Sequence, residues 1–262
     1  MAENCKQKTC RYSCHFAKYD FKEAFEREKV KQILHNKKYA KFILLDQFGF
    51  SQVDENVFKV LTNSDVTDFI FFIASSFIDR FKDMEQTKKY FDTSKIDFMA
   101  KRPVERHELI AKYFKQLIEK EEYYIHHFTI KKGSNYYGLI FGTGHTYGME
   151  KFLKVCWDKD KFSGESNSNK HGDFEEHTIF YNPAHSNKQE AVKEDLKQKI
   201  LSKEIVDNIT GMKYAIKRGC LPKLYTETIT ELEKSGKIKR GENKNNQSTK
   251  IHSARKYQIE IL

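Results

Sequence analysis

Four residues that follow a short apolar run are the first candidates for chemistry. The run Phe42 to Leu45 is followed by a carboxylate, an amide, an aromatic ring and a glycine, which are Asp46, Gln47, Phe48 and Gly49. Consecutive apolar residues bounded by turn-forming residues predict a buried central strand. A carboxylate at the carboxyl end of such a strand faces the crevice where open α/β sheets bind ligands. An acid in this position is equally typical of a helix cap or a loop anchor, so the pattern indicates a site without naming a reaction.

The second candidate set is three cysteines and a histidine near the amino terminus. Cys5, Cys10, Cys14 and His15 could supply four ligands to a zinc ion. The cysteines are separated by four and then three residues, which is not the repeated pair spacing of structural zinc sites. The alternative is a frayed, lysine-rich terminus that carries thiols. With five cysteines and no secretory signal, we expect reduced thiols rather than a disulfide framework.

Other polar motifs favour structure over chemistry. The glycine-rich stretch Gly142 to Gly148 resembles a phosphate-binding turn, but its spacing favours a tight structural turn. His126 and His127 are adjacent on a predicted strand, so one is expected to point inward and one outward, and a core histidine is favoured over a general base. The sequence contains no Ser-His-Asp arrangement, His-Glu-x-x-His motif or P-loop, so it does not support a hydrolase or a nucleotide triphosphatase.

Alternating helices and strands would position these residues. The periodicity predicts a helix from Asp20 to Leu34, the strand that ends at Asp46, a helix capped by Asp54 and a second apolar strand from Phe69 to Ala74. A strand, a helix and a strand at this spacing form a crossover unit. We therefore expect the two strands to be parallel neighbours in a covered sheet.

A helical insertion and a hairpin are predicted to follow. Amphipathic segments begin at Phe77 and near Pro103, and two strands, Tyr123 to Lys131 and Asn135 to Phe141, are separated by a turn at Gly133. A helix through Met149 and Cys156 ends this α/β segment. The predicted divisions are a polar, cysteine-containing segment at 1–19, the α/β domain at 20–158, a linker or loop at 159–187 and a separate domain at 188–262.

The carboxyl-terminal segment has the pattern of a winged helix-turn-helix domain. Three helices precede two short strands, which flank a polar loop from Gly241 to Thr249. The helix from Leu224 to Lys234 would then be the recognition helix. The predicted nucleic-acid-binding residues are the cations on and after this helix: Lys223, Lys234, Lys237, Lys239, Arg240, Lys244, Lys250, Arg255 and Lys256.

Positive charge is concentrated in this segment. Residues 187–262 contain 17 basic and 10 acidic groups, in a chain whose net charge is +10. The asymmetry favours a polyanionic partner such as DNA, and the alternative is a solubilising surface. Three acids on the presumed recognition helix, Glu227, Glu231 and Glu233, repel phosphate and favour the other alternative, a winged helix that docks a protein.

Composition predicts a folded protein outside the membrane. Aromatic residues make up 14% of the chain and only 3 prolines occur, which argues against a disordered chain. No apolar run approaches the ~20 residues of a membrane helix. The polar start, Met1 to Lys6, lacks the apolar core of a secretory signal, so we expect a cytoplasmic protein with no membrane contact.

Four stretches of the α/β segment carry a family resemblance, and they occur in the expected order. They are Asp46 to Phe50, Phe77 to Phe81, Lys131 to Gly142 and Glu150 to Trp157. Together they resemble the three-Cys-motif partner (TcmP) family. The resemblance covers about Tyr39 to Trp157, and the tail resembles the winged helix that often closes such proteins. Cys5, Cys10 and Cys14 are not the cysteines of the family name, which in that family belong to a radical-SAM-like partner.

This resemblance implies an α/β fold with a partial Rossmann-like, methyltransferase-type sheet and a helical insertion, followed by a winged helix-turn-helix domain. It also implies that Asp46, Gln47, Phe48 and Gly49 form the turn that faces the substrate. Asp46 could accept hydrogen bonds from an amino group, and Phe48 could stack on a planar substrate such as a flipped base. Only about 40 residues precede the strand, so we expect the half that binds S-adenosylmethionine to be missing.

Two hypotheses about function follow. The first is a TcmP-like protein, related to S-adenosylmethionine-dependent methyltransferases but without the cofactor-binding half, whose basic winged helix binds DNA. On this hypothesis we expect no activity from this chain alone, S-adenosylmethionine only if a missing half is supplied, and a radical-SAM-like three-Cys protein as a partner. The alternative is a non-catalytic adaptor or regulatory protein whose winged helix docks a protein.

Overall fold

The computed structural model describes residues 18–19, 21–46, 54–74, 103–168, 188–241 and 249–262. Within these residues the chain is a mixed α/β protein. Its helices are α1 (Phe21–Glu26), α2 (Glu28–Leu34), α3 (Glu55–Asn63), α4 (Arg106–Gln116), α5 (Thr146–Lys159), α6 (Lys188–Leu201), α7 (Asn208–Lys217) and α8 (Lys223–Lys234). Its strands are β1 (Lys41–Leu45), β2 (Thr67–Ala74), β3 (Tyr124–Lys132), β4 (Asn135–Thr143), β5 (Ile238–Arg240) and β6 (Ile259–Ile261). Short 3-10 turns cover Pro103–Glu105 and Ile251–Ser253.

Four strands form one mixed sheet in the order β1, β2, β4, β3. β1 and β2 are parallel, with Leu45 opposite Phe71, and β4 is antiparallel to both β2 and β3. The predicted crossover and the predicted hairpin are both confirmed. The hairpin closes through Gly133, whose φ of 61° lies in the left-handed region that a residue with a side chain rarely adopts.

Helices and the tail cover the two faces of this sheet with different partners. Leu45, Phe71 and Ile140 lie in one row of the sheet and share a hydrophobic core with residues of α3 and α4, and we call this side the first face. The opposite side, the second face, includes Tyr124 and Phe141, which share a core with α5, α6, α7 and α8. Both faces are therefore packed over β3 and β4.

Local signals explain several helix boundaries. The carboxylate of Asp54 accepts a hydrogen bond from the Val57 amide at 2.9 Å, which confirms the predicted cap of α3. The helix predicted from Asp20 to Leu34 is instead two helices, because Arg27 between them has extended backbone angles. Phe25 and Leu34 still pack together in the core of the first face.

The residues of the tail form three helices and a small antiparallel sheet. β5 pairs with β6, and Asp207, just before α7, forms a bridge with Gln258, just before β6. The side chain of Asp207 also accepts a hydrogen bond from the Thr210 amide at 2.9 Å and caps α7. The tail packs through α6, α7 and α8 onto the second face of the sheet. None of the described helices has the length and apolar character needed to cross a bilayer.

Candidate functional site

Asp46 follows β1 and is exposed. Among the described strands, β1 is an outer strand of the sheet, with β2 as its neighbour. Gln47, Phe48 and Gly49, the other predicted residues of the substrate-side turn, lie outside the described residues. The environment of Asp46 in the described part of the chain is therefore an open sheet edge.

The apolar side chains of β1 are buried on one face only. Leu45 on the first face is 6% exposed, whereas Phe42 and Leu44 on the second face are 64% and 62% exposed. The prediction of a strand buried on both sides is therefore wrong for the second face. The physical reason is that α5 to α8 pack over β3 and β4 on this face, and none of the described helices packs over β1 there.

A cavity with a volume of about 420 Å³ lies at the other edge of the sheet, along β3. Its inner wall contains Ile125, His126 and His127 of β3 and Ser163 and Glu165 of the loop that follows α5. α4 borders the cavity from the first face, and α6 and the end of α7 border it from the second face. The cavity thus wraps around the outer edge of β3.

Buried polar groups form the inner wall. Lys188 Nζ donates a hydrogen bond to Glu165 Oε1 at 2.7 Å, and His127 Nε2 lies 3.9 Å from Glu165 Oε2. His126 Nε2 lies 3.4 Å from the carbonyl oxygen of Gly164. Burial, followed by the positive charge of Lys188 and the neighbouring His127, lowers the pKa of His126 well below its usual value. His126 is therefore neutral at physiological pH.

A well-defined loop holds Glu165 in the wall. The carboxylate of Asp160 accepts hydrogen bonds from the hydroxyl of Ser163 at 2.6 Å and from the amide of Glu165 at 3.0 Å. Burial alone would raise the pKa of Asp160, but these hydrogen bonds and those from other loop amides lower it overall. The loop then pairs with β3, where the Thr129 amide donates to the carbonyl of Glu165 at 2.7 Å.

Close packing against the tail completes the wall. Trp157 Nε1 donates a hydrogen bond to the carbonyl of Gly219 at 3.0 Å. Gly219 has a φ of 73°, and a Cβ at this position would lie 2.6 Å from the His126 ring and 2.7 Å from Lys188 Nζ. Gly219 is therefore required both by its backbone angle and by the approach of these two side chains.

Cations surround the mouth of the cavity. Lys112 and Lys115 come from α4, and Lys217 and Arg218 come from the end of α7. Lys112 Nζ lies 2.8 Å from Glu108 Oε1, and Arg218 lies 3.8 Å from Asp195. Within the described residues, Lys115 and Lys217 form no ion pair. Burial, followed by the charges of Lys217, Arg218 and Lys112, lowers the pKa of Lys115.

The predicted nucleic-acid-binding residues have different environments in the tail. Arg240 is 7% exposed, and its Nε donates to Glu233 Oε2 at 2.9 Å. Lys223 pairs with Glu227 at 3.0 Å, and Lys256 pairs with Asp207 at 3.2 Å. Lys223 and Lys256 are exposed despite these pairs, as are Lys234, Lys237, Lys239, Lys250 and Arg255, and Lys244 lies outside the described residues.

The acids of the presumed recognition helix are paired within the chain. Glu231 contacts Lys193 and also Lys197, the latter at 3.3 Å, and these contacts lower the pKa of its carboxyl group. Glu233 pairs with Arg240, and Glu227 pairs with Lys223. The acids of α8 are therefore offset by cations of the same chain, and further exposed cations, Lys237, Lys239, Lys250 and Arg255, follow this helix.

The predicted zinc ligands Cys5, Cys10, Cys14 and His15 lie outside the described residues. In the part of the chain that the structure describes, no group of three or more His, Cys, Asp or Glu side chains could hold a metal ion. Cys156 and Cys220 are buried free thiols, and burial raises their pKa values to about 12 and about 11. These two thiols are therefore protonated and unreactive at neutral pH.

The sequence did not identify the cavity at β3. His126 and His127 were expected to differ in burial, but they are 8% and 3% exposed because helices and the loop cover both faces there. The one available signal was this pair of histidines in an otherwise apolar strand. The glycine-rich stretch before α5 is a structural turn, in which His145 Nδ1 accepts a hydrogen bond from the Tyr147 amide at 3.1 Å and caps the helix.

Comparison of the chain with protein-family models, with curated proteins and with solved structures found no match. The chemistry of the site is therefore indicated only by its own residues and by the fold around them.

Proposed function

We propose that the α/β part of this chain is the substrate-side half of a methyltransferase-type sheet of the TcmP kind, and that a separate polypeptide carrying the cofactor-binding half joins it at β1. That second half would bind S-adenosylmethionine. The exposed second face of β1, with Phe42 64% and Leu44 62% exposed, is the observation that carries this proposal.

The strand order supports it. The parallel strands β1 and β2 come first, and the hairpin of β3 and β4 follows them in the chain. β4 lies between β2 and β3 and is antiparallel to both. We expect this order for the carboxyl-terminal half of a methyltransferase-type sheet. In a doubly wound sheet the two halves contribute helices to opposite faces. Here α3, the crossover helix between β1 and β2, packs on the first face. Helices of an added half would then cover the second face, where Phe42 and Leu44 are exposed.

The position of Asp46 fits the same arrangement. Ligands of doubly wound sheets bind beyond the carboxyl ends of the strands, where the strand order reverses. An added half that pairs with β1 would make the end of β1 this switch point. Asp46 is exposed in this chain and would then face a crevice formed by two polypeptides.

Calorimetry with S-adenosylmethionine tests this function. We expect no binding heat with this chain alone, and saturable binding when it is mixed with the product of a neighbouring gene that encodes a glycine-rich cofactor loop. Leu44→Lys should abolish binding by the mixture, because it adds a charge to the joining surface. Val155→Lys is the matched control, because Val155 is 60% exposed on α5, away from β1.

Three results contradict the proposal: binding by this chain alone, no heat in the mixture, or equal effects of the two lysine substitutions. Each is distinct from simple unfolding, which circular dichroism of both variants detects.

A second function, nucleic-acid binding by the tail, is supported by a different observation. The order α6, α7, α8, β5 and β6, with the bridge between Asp207 and Gln258, resembles that of a winged helix and supports this proposal. Because the acids of α8 are paired within the chain, they repel phosphate less than the sequence alone suggests. The exposed Lys237, Lys239 and Arg255 would contact phosphates, whereas Arg240 would stabilise the tail through Glu233.

Mobility shifts with random duplex DNA at several salt concentrations test this second function. We expect affinity to fall steeply with salt, and the double variant Lys237→Gln with Lys239→Gln to reduce the slope of log K against log salt by about 2. An unchanged slope, or an affinity that salt does not alter, favours the adaptor alternative, in which the tail docks a protein.

A further inference from the structure

We propose that the cavity at the β3 edge binds a small molecule that carries a phosphate group, with the phosphate held between Lys115 of α4 and Lys217 of α7. The site is independent of the sheet edge at β1, because β2 and β4 lie between β1 and β3 in the described sheet. It is also distinct from the exposed cations of β5 and the wing.

The positive charge of the cavity favours an anionic ligand. Five cations and two carboxylates line it, namely Lys112, Lys115, Lys188, Lys217 and Arg218, with Glu108 and Glu165. Lys188 is paired with Glu165, Lys112 with Glu108 and Arg218 with Asp195, which leaves Lys115 and Lys217 to determine the charge of the mouth. Cations brought together in this way repel one another, and a bound dianion would relieve this repulsion.

The elements that carry the cations are far apart in sequence and are held rigidly. α4 is fixed by the core of the first face, where Ile110 is fully buried. α7 is fixed by the core of the second face, where Ala215 is fully buried. The fold therefore holds Lys115 and Lys217 on opposite sides of one opening. Both lysines are exposed, and the rigid helices that carry them fix the positions of their backbones on the two sides of the opening, which favours a compact anion between them.

Backbone groups of β3 add polar contacts. The Thr129 amide and carbonyl bond to the loop on the outer side of β3, through Glu165 and Asn167. Because outward-facing groups alternate along an antiparallel strand, the amide of Ile125, which lines the cavity, also points away from β4. Backbone N–H groups that converge with lysines are a common way to bind phosphate.

The size of the cavity and its apolar wall define the rest of the ligand. A volume of about 420 Å³ is within the range of small-molecule sites and too small for a folded partner. Ala111, Ile125, Ala191 and Val192 provide an apolar surface beside the cations. The ligand class is therefore a phosphate attached to a compact body with an apolar face, such as a mononucleotide or another phosphorylated metabolite.

Calorimetry and thermal shift with inorganic phosphate and with adenosine monophosphate test this site, at fixed ionic strength. We expect saturable binding of both probes, tighter for the nucleotide because its base contacts the apolar wall. Lys115→Gln and Lys217→Gln should each weaken binding about tenfold, the loss expected when a charge-assisted hydrogen bond is removed. The variant Lys29→Gln is the control, because Lys29 is exposed on α2 and its substitution removes one positive charge elsewhere.

Thermal unfolding without ligand provides a readout that a folding defect would not mimic. Because partial burial and the neighbouring cations both disfavour the charged form of Lys115, Lys115→Gln should raise the melting temperature by about 1 °C, whereas loss of structure would lower it. An unchanged or lower melting temperature contradicts the repulsion on which the site depends.

Three outcomes of the binding experiment overturn the proposal. They are no saturable binding of either probe, equal losses in the cavity variants and the control, or binding that is seen only with a DNA duplex. The last outcome would assign these cations to a nucleic-acid surface instead of a small-molecule site.

Discussion

The two outer strands of the described sheet, β1 and β3, contrast in what covers them. β1 is an apolar strand that exposes Phe42 and Leu44, whereas β3 buries His126 and His127 beneath helices and a loop. This is the reverse of what hydropathy alone suggests, because isolated imidazoles prefer water and apolar side chains avoid it. The buried pair of histidines and the exposed pair of apolar side chains therefore both depart from the usual pattern of burial.

The two edges differ in whether these side chains find partners within the described chain. At β3 the polar groups have partners inside the chain, since Glu165 pairs with Lys188 and His126 lies close to the Gly164 carbonyl. At β1 the deviation has no such compensation within the described residues. On β2, Ile70 packs against the core of the second face, whereas Phe72 on the same face is only partly buried. Contiguous exposed apolar surface of this kind marks an interaction site.

The prediction with the largest change in stability concerns two phenylalanines, one on each face of the sheet. Phe71→Ala should lower the free energy of unfolding by about 3–5 kcal/mol, because Phe71 is fully buried in the first-face core. Phe42→Ala should change it by less than about 0.5 kcal/mol, because Phe42 is mostly exposed. Urea unfolding followed by the fluorescence of Trp157 measures both. A comparable loss for Phe42→Ala would mean that the second face of β1 is covered in solution.

Local sequence signals predicted much of the fold. The cap at Asp54, the glycine turn at Gly133 and the parallel pairing of β1 with β2 follow from short-range chemistry and from the lengths of the connections. The break at Arg27 was not predicted, because the apolar periodicity continues through it. Signals of this kind report what the backbone does within a few residues.

The surroundings of the two sheet edges could not be predicted in the same way. The apolar run of β1 indicates that other residues should pack on both of its faces. It does not indicate whether the described part of the chain supplies them. The cavity at β3 combines residues near positions 110, 126, 165, 188 and 217, and no local pattern relates segments so far apart. Only the packing of α4 and α7 against opposite faces brings Lys115 and Lys217 to one opening.

A substitution at Gly138 tests how tightly the sheet is packed near β3. A Cβ on Gly138 of β4 would lie 2.2 Å from the ring of the fully buried His107 in α4. Gly138→Ala should therefore lower the free energy of unfolding by about 1–3 kcal/mol, because neither the strand nor the ring can move freely. Gly144→Ala is the matched control, since the nearest atom to its Cβ would be 3.7 Å away in ordinary contact. Equal stability of the two variants would contradict the close packing on this side.

The last prediction concerns the pH dependence of stability that the buried histidines impose, which is gradual because it develops over two pH units. Burial, followed by the neighbouring His127, lowers the pKa of His107 to about 3. Burial and Lys188 lower that of His126 despite the opposing carboxylate of Glu165. In the unfolded chain a histidine has a pKa of about 6.5. As the pH falls below this value, the unfolded state binds protons that the folded state does not, so stability decreases, by about 1.4 kcal/mol per pH unit for each such histidine.

Unfolding by urea at pH 7 and at pH 5 measures how the free energy of unfolding changes with pH. Two histidine variants test whether the buried histidines cause this change. His107→Asn should be less stable at pH 7, because the hydrogen bond between His107 Nδ1 and Thr129 at 3.1 Å is altered, yet it should lose less stability on acidification. His145→Asn keeps a favourable cap on α5 and removes an exposed histidine, so it should retain the full slope. Because the prediction concerns the change between two pH values, a general loss of stability in His107→Asn does not obscure it. Parallel pH profiles for the two variants would mean that the imidazole of His107 gains protons as readily in the folded state as in the unfolded state.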